Sequence, residues 1–221
     1  MTGAEFSALL VLATATSFTP GPNTTLSTAL AANLGLRRSL RFVFAVPVGW
    51  GLLLALCAGG LGSLVVAWPA LHWAILWGGV GYLLWLAWRL AGSKRLSDVD
   101  QARLNVTFAQ GVMLQFLNIK AWMLALSITA GWIAGHTDAL MRFAQVFPLM
   151  LGFAFFSNLA YASAGSLLRH WLAGPFEDGV TTGRRLQVFN RLMALALGLT
   201  ALWMLASGTG MTPSMAAGGP P

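Results

Sequence analysis

Six long apolar runs, separated by short gaps, leave this chain almost nothing from which to build a water-soluble globule. They cover approximately Glu5–Asn33, Leu40–Ala67, Ala70–Ala91, Val106–Ala134, Leu140–Leu168 and Leu186–Ser207. About 20 mainly apolar residues in a helix cross the hydrocarbon core of a bilayer. Inside lipid only helices and closed barrels satisfy their own backbone polar groups. The runs therefore predict an all-α integral membrane protein with six transmembrane helices. Six spans in 221 residues leave no room for a sizeable soluble domain. Residues 1–208 read as one six-span domain. Residues 209–221, small and rich in Pro and Gly, read as a disordered tail.

Composition supports this reading and narrows it. Only 9% of residues are charged and 57% are apolar, whereas soluble domains carry roughly 25% charged residues. The net charge of +7 would suit a nucleic-acid partner only if Lys and Arg clustered on a hydrated face. Instead they fall in short gaps, so the expected large partner is the lipid bilayer and not nucleic acid. Eleven of the thirteen basic residues sit in or beside three alternate gaps: Arg37, Arg38, Arg41; Arg89, Lys94, Arg95, Arg103; Arg169, Arg184, Arg185, Arg191. Basic loops face the cytoplasm, which places both termini outside. The first run has no basic residue before it and outlasts a signal-peptide core, so it reads as a retained span. The single cysteine, Cys57, excludes an intramolecular disulfide and a two-cysteine relay.

Two of the runs are interrupted. In the first, Thr19-Pro20-Gly21-Pro22-Asn23-Thr24 lies near the middle. Neither proline has an N–H to give, so the helix must break and leave carbonyls around Thr16–Phe18 free. Asn23 suits the cap of a restarting helix. Such backbone is tolerated at membrane depth only within protein or beside a water-filled cavity. A half-helix N-terminus suits a carboxylate, and free carbonyls suit an ammonium. In the fourth run, Gln115, Asn118 and Lys120 stand in an apolar helix. A lysine near the bilayer centre costs several kcal/mol and marks a site by default; the other reading lays Val106–Leu117 along the interface, with Lys120 near the surface. Ser157, Asn158 and Tyr161 in the fifth run are weaker candidates. Asn158 and Tyr161 share a helix face and suit either a cavity or ordinary interhelical hydrogen bonds.

The halves resemble each other weakly. Gly49 and Gly62-Ser63-Leu64 answer to Gly152 and Gly165-Ser166-Leu167, and Pro47 to Pro148. Either this is chance between two Gly-rich stretches, or the chain is two three-span repeats (about 1–100 and 101–208). Repeats with an odd number of spans insert with opposite orientation, as in many secondary transporters. The faces Gly59-Gly60-x-Gly62 and Gly78-Gly79-x-Gly81 suit either a homodimer or packing within one chain.

At these residues the sequence resembles the LysE/RhtB family of bacterial amino-acid exporters, over nearly the whole chain. One mark is Thr19-Pro20-Gly21-Pro22-Asn23, followed by Gly35 and Arg37-Arg38; another is Gly111 through Phe116-Leu117-Asn118-Ile119-Lys120-Ala121. Ile119 stands where the family usually has proline, which leaves open whether helix four is broken or continuous. The resemblance implies a six-span inner-membrane transporter, not an enzyme, that exports amino acids or related small metabolites by proton exchange. It implies no cofactor. No Asp or Glu falls deep in any run, so a neutral zwitterion fits better than a dication. Its carboxylate would lie near Lys120 and the Asn23 half-helix, and its ammonium near the carbonyls around Phe18. The rival readings are a divalent metal-ion exporter and a non-transporting scaffold. The first needs buried carboxylates or Cys/His clusters, and the second leaves Lys120 and Pro20–Asn23 unexplained. A serine protease needs a deep histidine base, and His72, His136 and His170 fall near run ends.

Overall fold

The computed structural model describes residues 1–62, 67–93, 104, 106–174, 176–177, 180–181 and 183–209. Its helices are α1 (Gly3–Phe18), α2 (Pro22–Leu34), α3 (Leu36–Ala58), α4 (Pro69–Ala91), α5 (Phe108–Leu117), α6 (Ile119–Ile128), α7 (Ala139–Ala173) and α8 (Arg184–Thr209). A π-helical turn at Thr129–Ile133 continues α6. A small antiparallel hairpin, β1 (Phe176–Glu177) and β2 (Val180–Thr181), lies between α7 and α8 in the chain. The charges at Lys94, Arg95 and Arg103 and the tail from residue 210 lie outside the described residues, while Thr209 still belongs to α8.

Apart from that hairpin the described elements are helical, and the chain has the all-α architecture of an integral membrane protein. Among the described residues, α3, α4, α7 and α8 are each long and apolar enough to cross a bilayer, and α5 with α6 makes a fifth crossing bent by 69°. The first apolar run is two shorter helices, α1 of 16 residues and α2 of 13, broken at Pro20-Gly21-Pro22 as the sequence predicts. Each half thus holds a broken pair followed by two long helices. Large apolar side chains such as Val11, Leu140 and Leu167 are largely exposed, at 70%, 83% and 81%. A protein in water would hide them; against lipid tails they cost nothing.

The core forms around α2. Eleven of its thirteen residues are buried, whereas α1 buries only Leu9 and Ala13. Helices associate closely in lipid where small residues let backbones meet. A side chain at Gly165 of α7 would place its Cβ 2.2 Å from the Thr28 carbonyl oxygen of α2, and one at Gly49 of α3 would meet the Val112 carbonyl of α5 at 2.7 Å. The internal similarity keeps the glycine without keeping its contact, since Gly152 meets nothing within 4 Å.

The two ends of the bundle differ. At one, Asn33 and Asn190 exchange amide hydrogen bonds of 2.7 and 3.0 Å, and Asn190 also donates to the Ser93 carbonyl. This gathers the end of α2, the start of α8 and the end of α4, and with them Arg37, Arg38, Arg89, Arg184 and Arg185. Arg169 joins them, its guanidinium beside Gly35 (φ +82°) at the α2–α3 corner. At the other end Arg142 pairs with Glu5 at 3.2 Å and Asp138 at 2.7 Å, and Trp132 Nε1 donates to the Glu5 carbonyl. The Arg142 hydrogen bond holds the Asp138 carboxyl below its ordinary pKa.

Candidate functional site

Both helix breaks meet in the middle of the bundle. After Phe18 the backbone turns extended, with Thr19 at φ −70°, ψ 129° and Gly21 at φ −164°, ψ −172°. The Thr19 amide donates to the Ala15 carbonyl at 3.2 Å, and its hydroxyl donates to the same oxygen. Pro20 and Pro22 then have no N–H for the Thr16 and Phe18 carbonyls. The amide of Gly21 donates instead to Thr24 Oγ1 at 2.9 Å. The helical donors of three successive carbonyls, Thr16 to Phe18, are therefore missing or diverted, as the double proline predicts. One is recovered: Tyr161 Oη donates to the Phe18 carbonyl at 2.8 Å.

The restart of α2 corrects one expectation. Gly21 is its N-cap, and the Thr24 hydroxyl both accepts from Gly21 N and donates to Gly21 O. Asn23 does not cap. Its side chain points across the bundle and forms a reciprocal amide pair with Gln115, at 2.8 and 3.0 Å. Pro22 at the first helical position makes a side-chain cap less necessary, since the missing N–H is one the helix start would leave unpaired anyway.

The second break exists without proline. Asn118 is extended (φ −97°, ψ 101°), and its Oδ1 accepts from the Lys120 amide at 3.2 Å, capping α6. With that amide diverted, the Phe116 carbonyl takes a 2.8 Å bond from Trp122 Nε1. The Leu117 carbonyl presses on Gly79 of α4, where any Cβ would lie 1.9 Å from its oxygen. One half of the Gly78-Gly79-x-Gly81 face therefore packs inside this chain.

Lys120, at the start of α6, comes to the first break: its Nζ would lie 3.6 Å from a Cβ at Gly21. The thirteen residues of α2, about 20 Å at 1.5 Å per residue, separate that point from the basic end of the bundle. Lys120, half-buried, is thus remote from the basic end of the bundle. Neither ion pair among the described residues involves it. It faces a cavity of about 580 Å³ lined also by Thr16, Ser17, Thr19, Gly21, Pro22, Asn23, Thr24, Asn118, Ser157 and Asn158. A second, more open cavity of about 980 Å³ lies on the other side of the same break, towards Leu199, Thr200 and Trp203 of α8. Pro20 lines this one, while Thr16, Thr19, Gly21 and Lys120 border both.

The remaining candidates support the site from behind. Gln115 is fully buried, holding Asn23 and the Gly111 carbonyl. Tyr161 ties α7 to the first break, and Asn158 accepts from Ser27 Oγ at 2.9 Å while lining the cavity. Sequence reasoning missed the cavity's apolar wall of Val46, Trp50, Ala121, Leu124, Met150 and Ala154. No local signal marks these residues, because apolar side chains at helical spacing occur throughout the chain.

A multi-span bundle with two helix interruptions meeting at a polar, lysine-bearing cavity defines a membrane transporter of the broken-helix kind. The family described as LysE type translocator matches residues 14–208, and the chain belongs to it. Among curated relatives, the cysteine/O-acetylserine efflux protein of Escherichia coli strain K12 is 32% identical over 169 residues, covering 76% of this chain and 86% of the relative. Proteins of that name from Shigella sonnei strain Ss046 and Shigella flexneri match with the same identity and coverage. No solved structure matches. The family and these relatives are transporters, not enzymes.

Proposed function

We propose that this protein exports amino acids or related small zwitterionic metabolites from the cytoplasm across a bacterial inner membrane in exchange for protons. The observation that carries the reading is Lys120: a half-buried ammonium beside both helix breaks, in a cavity whose described lining contains no carboxylate. An unpaired charge at that depth costs several kcal/mol, and a substrate carboxylate offsets the cost. Its ammonium finds acceptors in the Thr16 and Ser17 carbonyls, whose helical donors the Pro20–Gly21 turn removes. The relatives' names, cysteine and O-acetylserine efflux, point to the same zwitterionic chemistry.

Orientation follows from the basic end. Arg37, Arg38, Arg89, Arg169, Arg184 and Arg185 gather there, so that end faces the cytoplasm and the Glu5–Arg142 end, with both termini, faces out. The two halves then act as inverted three-span repeats, with the site between them. Because the described lining has no acidic group, the coupled proton travels on Lys120 or on the substrate. Overproduction should raise extracellular cysteine or O-acetylserine several-fold, and a protonophore should abolish the rise. An unchanged medium would remove the amino-acid reading; release indifferent to the protonophore would remove proton exchange alone.

A further inference from the structure

The main cavity has two chemically different ends. Lys120, Asn118, Asn23, Thr24 and Asn158 line one part, and Trp50, Leu124 and Met150 another. Trp50 and Met150 belong to one hydrophobic cluster together with Ala121, and Leu124 packs against it. Three helices agree on where the apolar part lies. On α7, Met150 precedes Asn158 by eight residues, about 12 Å of helix, towards the Arg142 end. On α6, Leu124 lies one turn beyond Lys120, in the direction of Trp132 and its bond to the Glu5 carbonyl. On α3, Trp50 lies one turn beyond Val46, away from the basic corner at Gly35. The apolar end therefore points towards the Glu5–Arg142 face of the bundle and the polar end towards the basic face.

We infer that Trp50 and Met150 form the side-chain subsite, which admits a compact uncharged side chain while the amino and carboxyl groups stay at the Lys120 end. The inference rests on the proposed export of amino acids and adds which end of the substrate each wall reads. Trp50 is 5% exposed and Met150 2%, so the wall is packed and leaves little room to yield. No charged side chain lines it, so a lysine or glutamate side chain would enter without a partner. Methionine sulfur is polarisable and packs well against other soft groups, which suits a thiol or a small ester better than a branched hydrocarbon.

The test uses the full chain purified into proteoliposomes and preloaded with L-cysteine under reducing conditions. Counterflow is measured with labelled L-cysteine, L-leucine, L-lysine and L-glutamate. Wild type should exchange cysteine in preference to leucine, and neither lysine nor glutamate. One methylene in an apolar pocket is worth roughly 10–200-fold, so Met150→Ala should raise the leucine-to-cysteine ratio by about tenfold. Trp50→Phe, a gentler change, should move the ratio the same way, and Met150→Phe should move it down. The ratio is insensitive to how much protein folds. Cysteine exchange with an unchanged ratio in both Met150→Ala and Trp50→Phe overturns the subsite and leaves the proposed function standing. So does wild-type exchange of leucine, lysine or glutamate as fast as cysteine. Wild type that exchanges no amino acid overturns both.

Discussion

At the residue scale the site consists of one half-buried lysine and, beside it, an amide pair joining two helices. Lys120 is legible in the sequence because it is a lone cation in an apolar run. Its neighbour across the bundle is not, since only folding brings the Gly21 turn to its side chain. The Asn23–Gln115 pair joins residues 92 apart, and both its hydrogen bonds are near 3 Å. Its place just after the proline break therefore made Asn23 read as a cap, when its partner lies on another helix. Removing one member leaves a buried amide without its donor or acceptor, which costs about 1–3 kcal/mol. Gln115→Leu should accordingly lower the melting temperature of the detergent-purified protein, while the exposed, apolar change Leu140→Met should not. Equal melting of Gln115→Leu and wild type would show that the pair does not form.

At the element scale the two breaks differ in how clearly the sequence announces them. Pro20-Gly21-Pro22 removes two donors in three residues, and no helix survives that. The second break carries Ile119 where proline was the available signal, and the sequence left helix continuity open. Asn118 makes the break by another route, its side chain taking the Lys120 amide that would otherwise extend α5. Two consequences can be measured. Ile119 occupies the first position of α6, where proline is accepted, and Asn118 before it is already extended, the conformation a following proline requires. Ile119→Pro should therefore insert and transport, whereas loss of both would contradict the placement of the break. Gly79→Val, by contrast, drives a side chain into the Leu117 carbonyl. It should abolish stable accumulation of the protein in the membrane, and wild-type accumulation would show that α4 does not lie against the break.

At the scale of the whole molecule, composition and charge placement were the most legible features. Apolar runs long enough for helical spans, with most charges in or beside the gaps, left only a helical membrane protein. Five of the six runs became helices or a bent pair able to cross, and the first became two short helices whose partial spans meet a buried centre. The apolar wall of the cavity stayed illegible, because a residue lining a cavity and one facing lipid are the same residue type at the same spacing. Orientation is testable by itself: a thiol probe that cannot cross the membrane should miss Arg38→Cys and label Thr2→Cys in a Cys57→Ser background. The reverse pattern would invert the proposed topology.

Lys120→Ala asks whether the cavity at the two breaks is the transport site. Release of cysteine and O-acetylserine from cells is compared with wild type at matched amounts of protein in the membrane. Release from the variant should fall to the level of cells without the transporter. Release close to wild type would place the substrate path elsewhere in the bundle.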